Sequence, residues 1–353
     1  MAETAKRDVL PDLLKALLIL SVLLQHSATA LKMGQPIGEG NWTNWLSASP
    51  FNMPLFMAIC GYYFFYSARK RTLGELLKSK LLMILVPCLA WTMLGKCTLC
   101  FLYGKHVDWL PWPWDLWFLW SAMICMLLGS ICHYAFRRAE GWAMALLCGL
   151  LCMLPHDLYN VAYMFPFFAI GYTVCKHNLV SKAKPWMGWA ALAAYMGLHC
   201  FISWESSVWN SHSFLFGERT VAVQLGLNAY RFLIGLVGSV AFCFVLKWCR
   251  PLLERGLNST GMLGRAGQWY LQKLGQYSLV VYASQAVFLE LCTGRLMKTL
   301  AWHGLYDPQA IPFQVFQWVC IPLTAFIVSL LCLAALRLAQ TNRITQFLFI
   351  GKA

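Results

Sequence analysis

The sequence is poor in charge, and above all in negative charge. Asp, Glu, Lys and Arg make up only 12% of its 353 residues, and 14 residues are acidic. Because a soluble domain carries about 25% charged residues, water is excluded as the main solvent of most of the chain. No stretch is long and polar enough for a separate soluble domain, so we expect a single domain over residues 1–353. The polar N-terminus also lacks a cleavable signal pattern, which predicts that the first apolar segment is retained.

Internal repeats are missing too, and so are cysteines in the polar loops. The missing repeat weakens the case for an inverted-repeat transporter. All 15 cysteines lie in apolar segments or at their edges, so we expect no disulfide bonds. Cys97 and Cys100 form a CxxC pair, but it has no second pair and no nearby histidine. We interpret both as packing residues, and we expect no metal site and no permanently bound cofactor.

The sequence is rich in apolar residues, which make up 59% of the chain. A membrane-spanning helix needs about 20 mostly apolar residues. Segments near this length recur along the whole chain, and the fifth is the shortest. The fold class is therefore all-α, a polytopic membrane protein with about ten transmembrane helices, at 9–32, 51–68, 79–102, 115–134, 141–155, 160–176, 185–204, 221–246, 274–297 and 311–337.

The basic residues give this arrangement an orientation. The net charge is +14, and the chain has 28 Lys and Arg residues. With the N-terminus in the cytoplasm, 20 of the 28 fall in cytoplasmic segments and five in outer segments. This bias follows the positive-inside rule, which places both termini in the cytoplasm. The positive charge therefore indicates topology and contact with anionic lipids, and it argues against nucleic acid as a partner.

Two further patterns concern the membrane surface. The polar stretch 247–273 is predicted to be cytoplasmic, and its alternation of Leu263 and Trp269 with basic residues predicts an amphipathic interfacial helix. Aromatic residues crowd the predicted outer boundaries. They are typical of an interfacial belt, but they would also suit stacking on sugar rings, and both interpretations stay open. The set is Trp42, Trp45, Trp109, Trp112, Trp114, Trp117, Trp204 and Trp209.

The first apolar segment carries the residues best suited to chemistry. An ionisable group in hydrocarbon indicates a functional site by default. Lys15 and His26 are about three helical turns apart, so they share a face and lie ~16 Å apart along the axis. Asp12 can pair with Lys15. As alternatives, Lys15 extends to the inner surface, and His26 is a core histidine bonded to a backbone carbonyl.

The segment from Asp12 to His26 resembles the opening of the acyltransferase-3 family of membrane proteins, which O-acylate surface glycans. The likeness is to fucose 4-O-acetylase-like members and extends over about residues 9–352. Four further motifs in order carry it. They are Met53-Pro54-Leu55-Phe56 with Cys60-Gly61-Tyr62, Leu116-Trp117-Phe118-Leu119, Phe165-Pro166-Phe167-Phe168 with Gly171-Tyr172, and Leu274-Gly275-Gln276-Tyr277-Ser278-Leu279 with Tyr282.

The resemblance implies an integral-membrane enzyme of the bacterial inner membrane. It implies transfer of an acyl group, most often acetyl, from cytoplasmic acyl-CoA to a hydroxyl of a lipid-linked or surface glycan. We assign the catalytic role to His26 and Asp12, and donor contacts to Lys15, Lys80 and Arg231. Acceptor contacts are assigned to Asn52, Trp117, Tyr282, Gln285 and Glu290. Acyl-CoA, the glycan and membrane lipids are the expected partners, and a homo-oligomer is left open.

At four positions the sequence differs from the family pattern, and these differences limit which residues can act as the base or bind phosphate. Lys15 stands where Arg is commoner, and it offers a point charge in place of a bidentate fork. Asn52 and Gln285 stand where relatives often carry His, which leaves His26 as the main candidate base. Met83 replaces the second of two basic residues, which argues against a two-point phosphate clamp with Lys80.

The residues leave other interpretations open. Arg231 and Glu290 are candidates for a structural ion pair or for ligand contacts. One rival function is a transporter or flippase of a lipid-linked or acylated substrate, without acyl-transfer chemistry. The other is a structural or sensory membrane protein whose embedded charges hold helices together.

Overall fold

The protein is described by a computed structural model. The structure describes residues 10–32, 50–103, 116–153, 160–202, 220–257 and 261–351. Within these ranges the regular structure is helical and contains no β-strand. The predicted all-α class is therefore confirmed.

The apolar segments form helices, and several further helices lie in the polar stretches between and after them. In chain order they are α1 (Leu10–Lys32), α2 (Asn52–Lys70), α3 (Leu73–Lys80), α4 (Val86–Tyr103), α5 (Trp117–Ala135), α6 (Glu140–Cys152), α7 (Val161–Lys176), α8 (Leu179–Lys182), α9 (Pro185–His199), α10 (Val221–Leu257), α11 (Met262–Gln276), α12 (Ser278–Gln285), α13 (Gly294–Trp302), α14 (Phe313–Val315), α15 (Ile321–Ala339) and α16 (Arg343–Ile350). Three π-helical segments join neighbouring helices, namely π1 (Leu81–Leu85), π2 (Ala286–Thr293) and π3 (Phe316–Cys320).

Each predicted apolar segment coincides with helix, and the long ones identify a polytopic membrane protein. In the described part of the chain, six helical stretches are long and apolar enough to cross a membrane. They are Leu10–Lys32, Leu73–Thr98, Trp117–Ala135, Val221–Arg255, Ser278–Trp302 and Phe313–Ala339. The number of ten spans and the cytoplasmic termini stay predictions.

One helix extends well beyond its predicted span. The apolar segment ends at residue 246, but α10 continues to Leu257. Arg250 Nε lies 2.7 Å from Glu254 Oε1, one turn further along this polar extension. Such i,i+4 pairs support helix on polar surfaces, so the end of the apolar run was not the end of the helix. The rest of the polar stretch falls largely in α11, where Met262 and Leu263 are exposed, and its binding to a membrane surface stays a prediction.

The chain divides into two compact units, Met1–Trp45 with Phe242–Leu338 and Leu46–Ala241 with Ala339–Ala353. In the first unit, α1 packs along α11, α12, π2 and α13. Gly275 touches the start of α1 at Asp12, and Gly294 approaches its end at Ala30. These contacts show that α1 and the chain from residue 275 to 294 run in the same direction. The prediction of one domain stays a prediction.

The second unit is built around a close crossing of α2 and α7. A Cβ on Gly61 would lie 2.0 Å from the Phe168 carbonyl oxygen, and one on Gly171 would lie 1.8 Å from the Ala58 carbonyl oxygen. Both glycines occur in the motifs described above. Because a side chain at either position would collide with backbone, these glycines set the distance between the two helices.

Candidate active site

An ion pair lies in the first turns of α1. Lys15 Nζ is 2.9 Å from Asp12 Oδ1, and the two side chains are 20% and 6% exposed. Positions i and i+3 share a helix face, so the local fold brings the charges together. In surroundings of low polarity a lone charge is costly, and pairing makes the lysine tolerable there. The predicted pairing is confirmed, whereas the roles assigned to both residues stay predictions.

Gly275 holds this end of α1 against α11. A Cβ at this position would lie 1.9 Å from the carbonyl oxygen of Asp12 and 2.6 Å from its carbonyl carbon. Any larger residue would therefore push the two helices apart. Gly275 belongs to one of the sequence motifs, but the motif did not predict this contact. The available signal was a glycine inside a helical pattern, which often marks close packing.

His26 lies on the same uninterrupted helix, near its C-terminal end. Lys15 and His26 share α1, and the rise of about 1.5 Å per residue puts them about 16 Å apart along its axis. His26 is half-buried, and its neighbours Gln25 and Ser27 are buried. Histidine is the side chain best suited to exchanging a proton near neutral pH. The structure thus places a cation and an imidazole on one helix, as the sequence predicts.

Two buried polar groups lie in α1 or on a helix that packs against it. The Ser27 hydroxyl oxygen, in α1, has no hydrogen-bond partner among the described residues, and the same is true of the Oε1 atom of Gln285 in α12. Leaving such a buried group unsatisfied costs about 1–3 kcal/mol. Gln285 is 1% exposed, and Tyr282 on the same helix is also buried. Since α12 packs against α1, the polar atoms of α12 belong to the same helix assembly as His26.

The Glu290 side chain is not among those that the structure describes, and its contact with Arg231 stays a prediction. Arg231, in α10, is 1% exposed. Its Nη1 donates to Asn228 Oδ1 over 3.1 Å, and Gln224 Nε2 donates to the same oxygen over 3.2 Å. These three residues recur on one face of α10. Of the three, only Arg231 was predicted from the sequence as a site residue, although the i,i+4 and i,i+3 spacing of the polar residues is visible there.

Asn52 and Trp117 lie at the starts of neighbouring helices in the second unit. Both are buried, and the helices meet where the rings of Phe56 and Phe118 lie 6.0 Å apart. Pro54 sits in the first turn of α2, where its missing N–H leaves no helical hydrogen bond unmade. The Met-Pro-Leu-Phe motif thus marks the start of a helix and places Asn52 there.

Lys80 ends α3, directly before π1. α3 begins with a capping box in which Thr72 and Glu75 bond to each other's backbone N–H groups. The Lys80 side chain is half-buried. Nothing in its surroundings tests the predicted donor contact.

A polar cluster around the buried Glu140 in the second unit was not predicted from the sequence. Glu140 Oε2 accepts a hydrogen bond from Tyr172 Oη over 2.6 Å and lies 2.9 Å from His133 Nδ1. Its other oxygen bonds to Lys176. The cluster ties together the ends of α5 and α7 and the start of α6. Glu140 is 32 residues from Tyr172 and 36 from Lys176, so no local spacing indicates that they meet.

The predicted site residues therefore divide between the two units. The first unit brings a cation, an imidazole and a buried amide acceptor onto packed helices, and this set suits group transfer from a long anionic donor. The first-unit residues are Asp12, Lys15, His26, Tyr282 and Gln285. The second-unit residues are Asn52, Lys80, Trp117 and Arg231.

The described part of the chain is helical, and six of its helical stretches are long and apolar enough to cross a membrane, which places it among the polytopic membrane proteins. The family model described as an acyltransferase domain matches residues 9–338. The chain therefore belongs to the acyltransferase-3 family, as its motifs predict. It is a membrane acyltransferase.

Two curated relatives are similar to the chain over most of their length. Nodulation protein NolL of Sinorhizobium fredii is 26% identical over 323 residues, which cover 85% of this chain and 82% of the relative. Nodulation protein NolL of Mesorhizobium japonicum is 25% identical over 315 residues, which cover 82% and 79%. No solved structure matches the chain.

Proposed function

We propose that this protein is an O-acyltransferase of the bacterial inner membrane. It transfers an acyl group, most often acetyl, from cytoplasmic acyl-CoA to a hydroxyl of a lipid-linked or surface glycan. The observation that carries the proposal is the helix α1. It combines the Asp12–Lys15 ion pair with His26 within a chain that matches the acyltransferase family over residues 9–338.

On the donor side, Lys15 supplies the positive charge. Asp12 holds the ammonium group at a fixed point in the first turns of α1. An anionic or polar part of acyl-CoA binds there, and the pantetheine arm extends along α1 towards His26. The separation of about 16 Å suits a donor that is charged at one end and reactive at the other. In the predicted topology, Lys15 is near the cytoplasm, where acyl-CoA is found.

His26 acts as the general base in direct transfer. One ring nitrogen takes the proton from the acceptor hydroxyl as its oxygen attacks the thioester carbonyl carbon. The carbon–sulfur bond then breaks, and the leaving thiolate takes the proton back from the imidazolium. The products are the glycan ester and free CoA, and His26 returns to its starting state.

Acyl relay through His26 is the alternative order of events. Here the imidazole itself attacks the thioester, releases CoA and passes the acyl group to the hydroxyl. Incubation of the protein with radiolabelled acetyl-CoA without acceptor, followed by mass spectrometry, separates the two routes. An acetyl group on His26 would contradict direct transfer.

The same preparation tests the proposed function against its rivals. Purified protein in detergent should release thiol from acetyl-CoA and pass the label to a glycolipid extract. A transporter or flippase would move substrate across a vesicle membrane without releasing CoA. A structural or sensory protein would do neither. Label that stays on CoA with every glycan extract would contradict the proposal.

A further inference from the structure

Gln285 has an acceptor atom for which the described residues supply no donor. Its side chain is almost fully buried, and its Oε1 atom has no hydrogen-bond partner among the described residues. Gln285 ends α12 and is followed directly by the π-helical segment π2. Because π-helical turns are frequent at functional sites, both the atom and its setting point to a ligand.

The contacts between helices show how far along the axis of α1 Gln285 lies. Gly275 touches Asp12, and the chain from there runs parallel to α1 until Gly294 approaches Ala30. Gln285 stands ten residues into the nineteen from Gly275 to Gly294, and His26 stands fourteen into the eighteen from Asp12 to Ala30. Scaled to the length of α1 between these two contacts, about 27 Å, Gln285 is about 14 Å and His26 about 21 Å beyond Asp12. Gln285 is therefore about one helical turn short of His26, on the side of Lys15.

At this distance from His26, Gln285 would lie beside the amide group of the donor that is nearest the thioester. In acyl-CoA the pantetheine arm carries an amide N–H three bonds from the thioester sulfur. Three bonds of an extended chain span about 3.6 Å, and the sulfur–carbon bond adds the rest of one helical turn. A thioester carbonyl beside His26 thus puts this N–H at the level of Gln285.

We propose that Gln285 Oε1 accepts a hydrogen bond from the pantetheine amide N–H nearest the thioester and thereby positions the thioester carbonyl at His26. This inference rests on the proposed acyl-CoA donor and adds a specific contact to it. The family resemblance assigned Gln285 to the acceptor, whereas in this account it binds the donor and takes no part in proton transfer. The N–H would satisfy an atom that the described helices leave without a donor.

Truncated donors test this contact, because the amide can be removed from the substrate as well as from the protein. S-acetyl-N-acetylcysteamine keeps the amide, whereas S-butyl thioacetate has an aliphatic chain in its place. The variant Gln285→Leu removes the acceptor atom, and Gln285→Glu keeps an oxygen at that position. Gln272→Leu is the matched control, since Gln272 is an exposed glutamine of α11.

We expect Gln285→Leu to lower kcat/KM roughly 5- to 30-fold with acetyl-CoA and with the cysteamine donor, the range for one lost hydrogen bond. With the thioacetate, wild type and Gln285→Leu should have equal kcat/KM. Gln285→Glu should recover part of the activity, and Gln272→Leu should equal wild type with every donor.

Two results would overturn the inference while leaving the proposed function intact. One is an equal loss for Gln285→Leu with both truncated donors, which would mean that Gln285 acts on His26 or on the acceptor. The other is full activity of Gln285→Leu with acetyl-CoA. Wild-type protein that releases thiol from no donor would instead overturn the proposed function, and this inference with it.

Discussion

At the scale of single residues, the Asp12–Lys15 pair has a structural role and a proposed donor-binding role, and experiments can separate the two. The Asp12 carboxylate is buried and the Lys15 ammonium is only partly exposed, so each charge makes the other tolerable. A structural role needs only that the charges cancel. A donor-binding role needs the positive charge itself, at this point on α1.

The variant Lys15→Met should destabilise the protein, because it leaves the buried Asp12 carboxylate without this cation. The expected loss is about 3 kcal/mol, at the low end for a broken buried pair since Lys15 is partly exposed. Thermal unfolding in detergent measures it. Lys15→Arg keeps the charge and should stay near wild-type stability.

The double variant Asp12→Asn/Lys15→Met separates the two purposes. It removes both charges, so most of the lost stability should return. Affinity for CoA, measured by the shift in unfolding temperature on adding CoA, should stay low. Wild-type affinity in this double variant would contradict the donor contact of Lys15.

At the scale of helices, glycines decide how closely the elements pack. Gly275 lets α11 approach the backbone of Asp12, while Gly61 and Gly171 form the crossing of α2 and α7. All three belong to the short motifs that carry the family resemblance. These motifs therefore mark helix contacts as well as candidate functional groups, and such contacts fix where the functional groups lie.

The variant Gly275→Ala should lower both stability and activity. Its methyl group would lie 1.9 Å from the Asp12 carbonyl oxygen, so α11 has to move, at a typical cost of about 1–3 kcal/mol. The movement also displaces Asp12 and, with it, Lys15. Thermal unfolding and kcat/KM for acetyl-CoA measure the two effects.

Gly226→Ala is the matched control, because Gly226 also lies inside a helix, α10, and a Cβ there would meet no described atom within 4 Å. It should leave the unfolding temperature and kcat/KM close to wild type. Equal behaviour of the two alanine variants would show that the contact with Asp12 does not position α1.

At the scale of the whole molecule, charge distribution predicts how the chain is inserted. Cytoplasmic segments are predicted to hold 20 of the 28 Lys and Arg residues, and this bias sets orientation during insertion. The predicted topology places Lys15 towards the cytoplasm and His26 deeper in the membrane. A donor entering from the cytoplasm depends on this orientation.

Reporter fusions measure the orientation directly. A fluorescent protein fused after Ala353 should fluoresce, because the C-terminus is predicted to lie in the cytoplasm. Alkaline phosphatase fused after Gly40 should be active, and the same enzyme fused after Lys182 should be inactive. The reverse pattern would place Lys15 on the outer side and contradict entry of cytoplasmic acyl-CoA past it.

The sequence predicted the helices well because hydrophobic length is a local property. The segment 9–32 became α1 at Leu10–Lys32, and the spacing of Asp12 and Lys15 predicted their ion pair. The sequence did not predict contacts between residues that are distant along the chain. The contact of Gly275 with Asp12 and the Glu140–Tyr172 bond depend on how the helices pack. That the described residues offer no hydrogen-bond partner to Gln285 Oε1 depends on all of its neighbours at once.

The most direct test of the central claim is the rate of acetyl transfer by the variant His26→Ala. Wild-type and variant protein, purified in detergent with matching unfolding temperatures, are supplied with radiolabelled acetyl-CoA and a glycolipid extract of the source membranes. If His26 is the general base, the variant should transfer acetyl roughly 100- to 10,000-fold more slowly. Transfer by the variant at the wild-type rate would contradict the account.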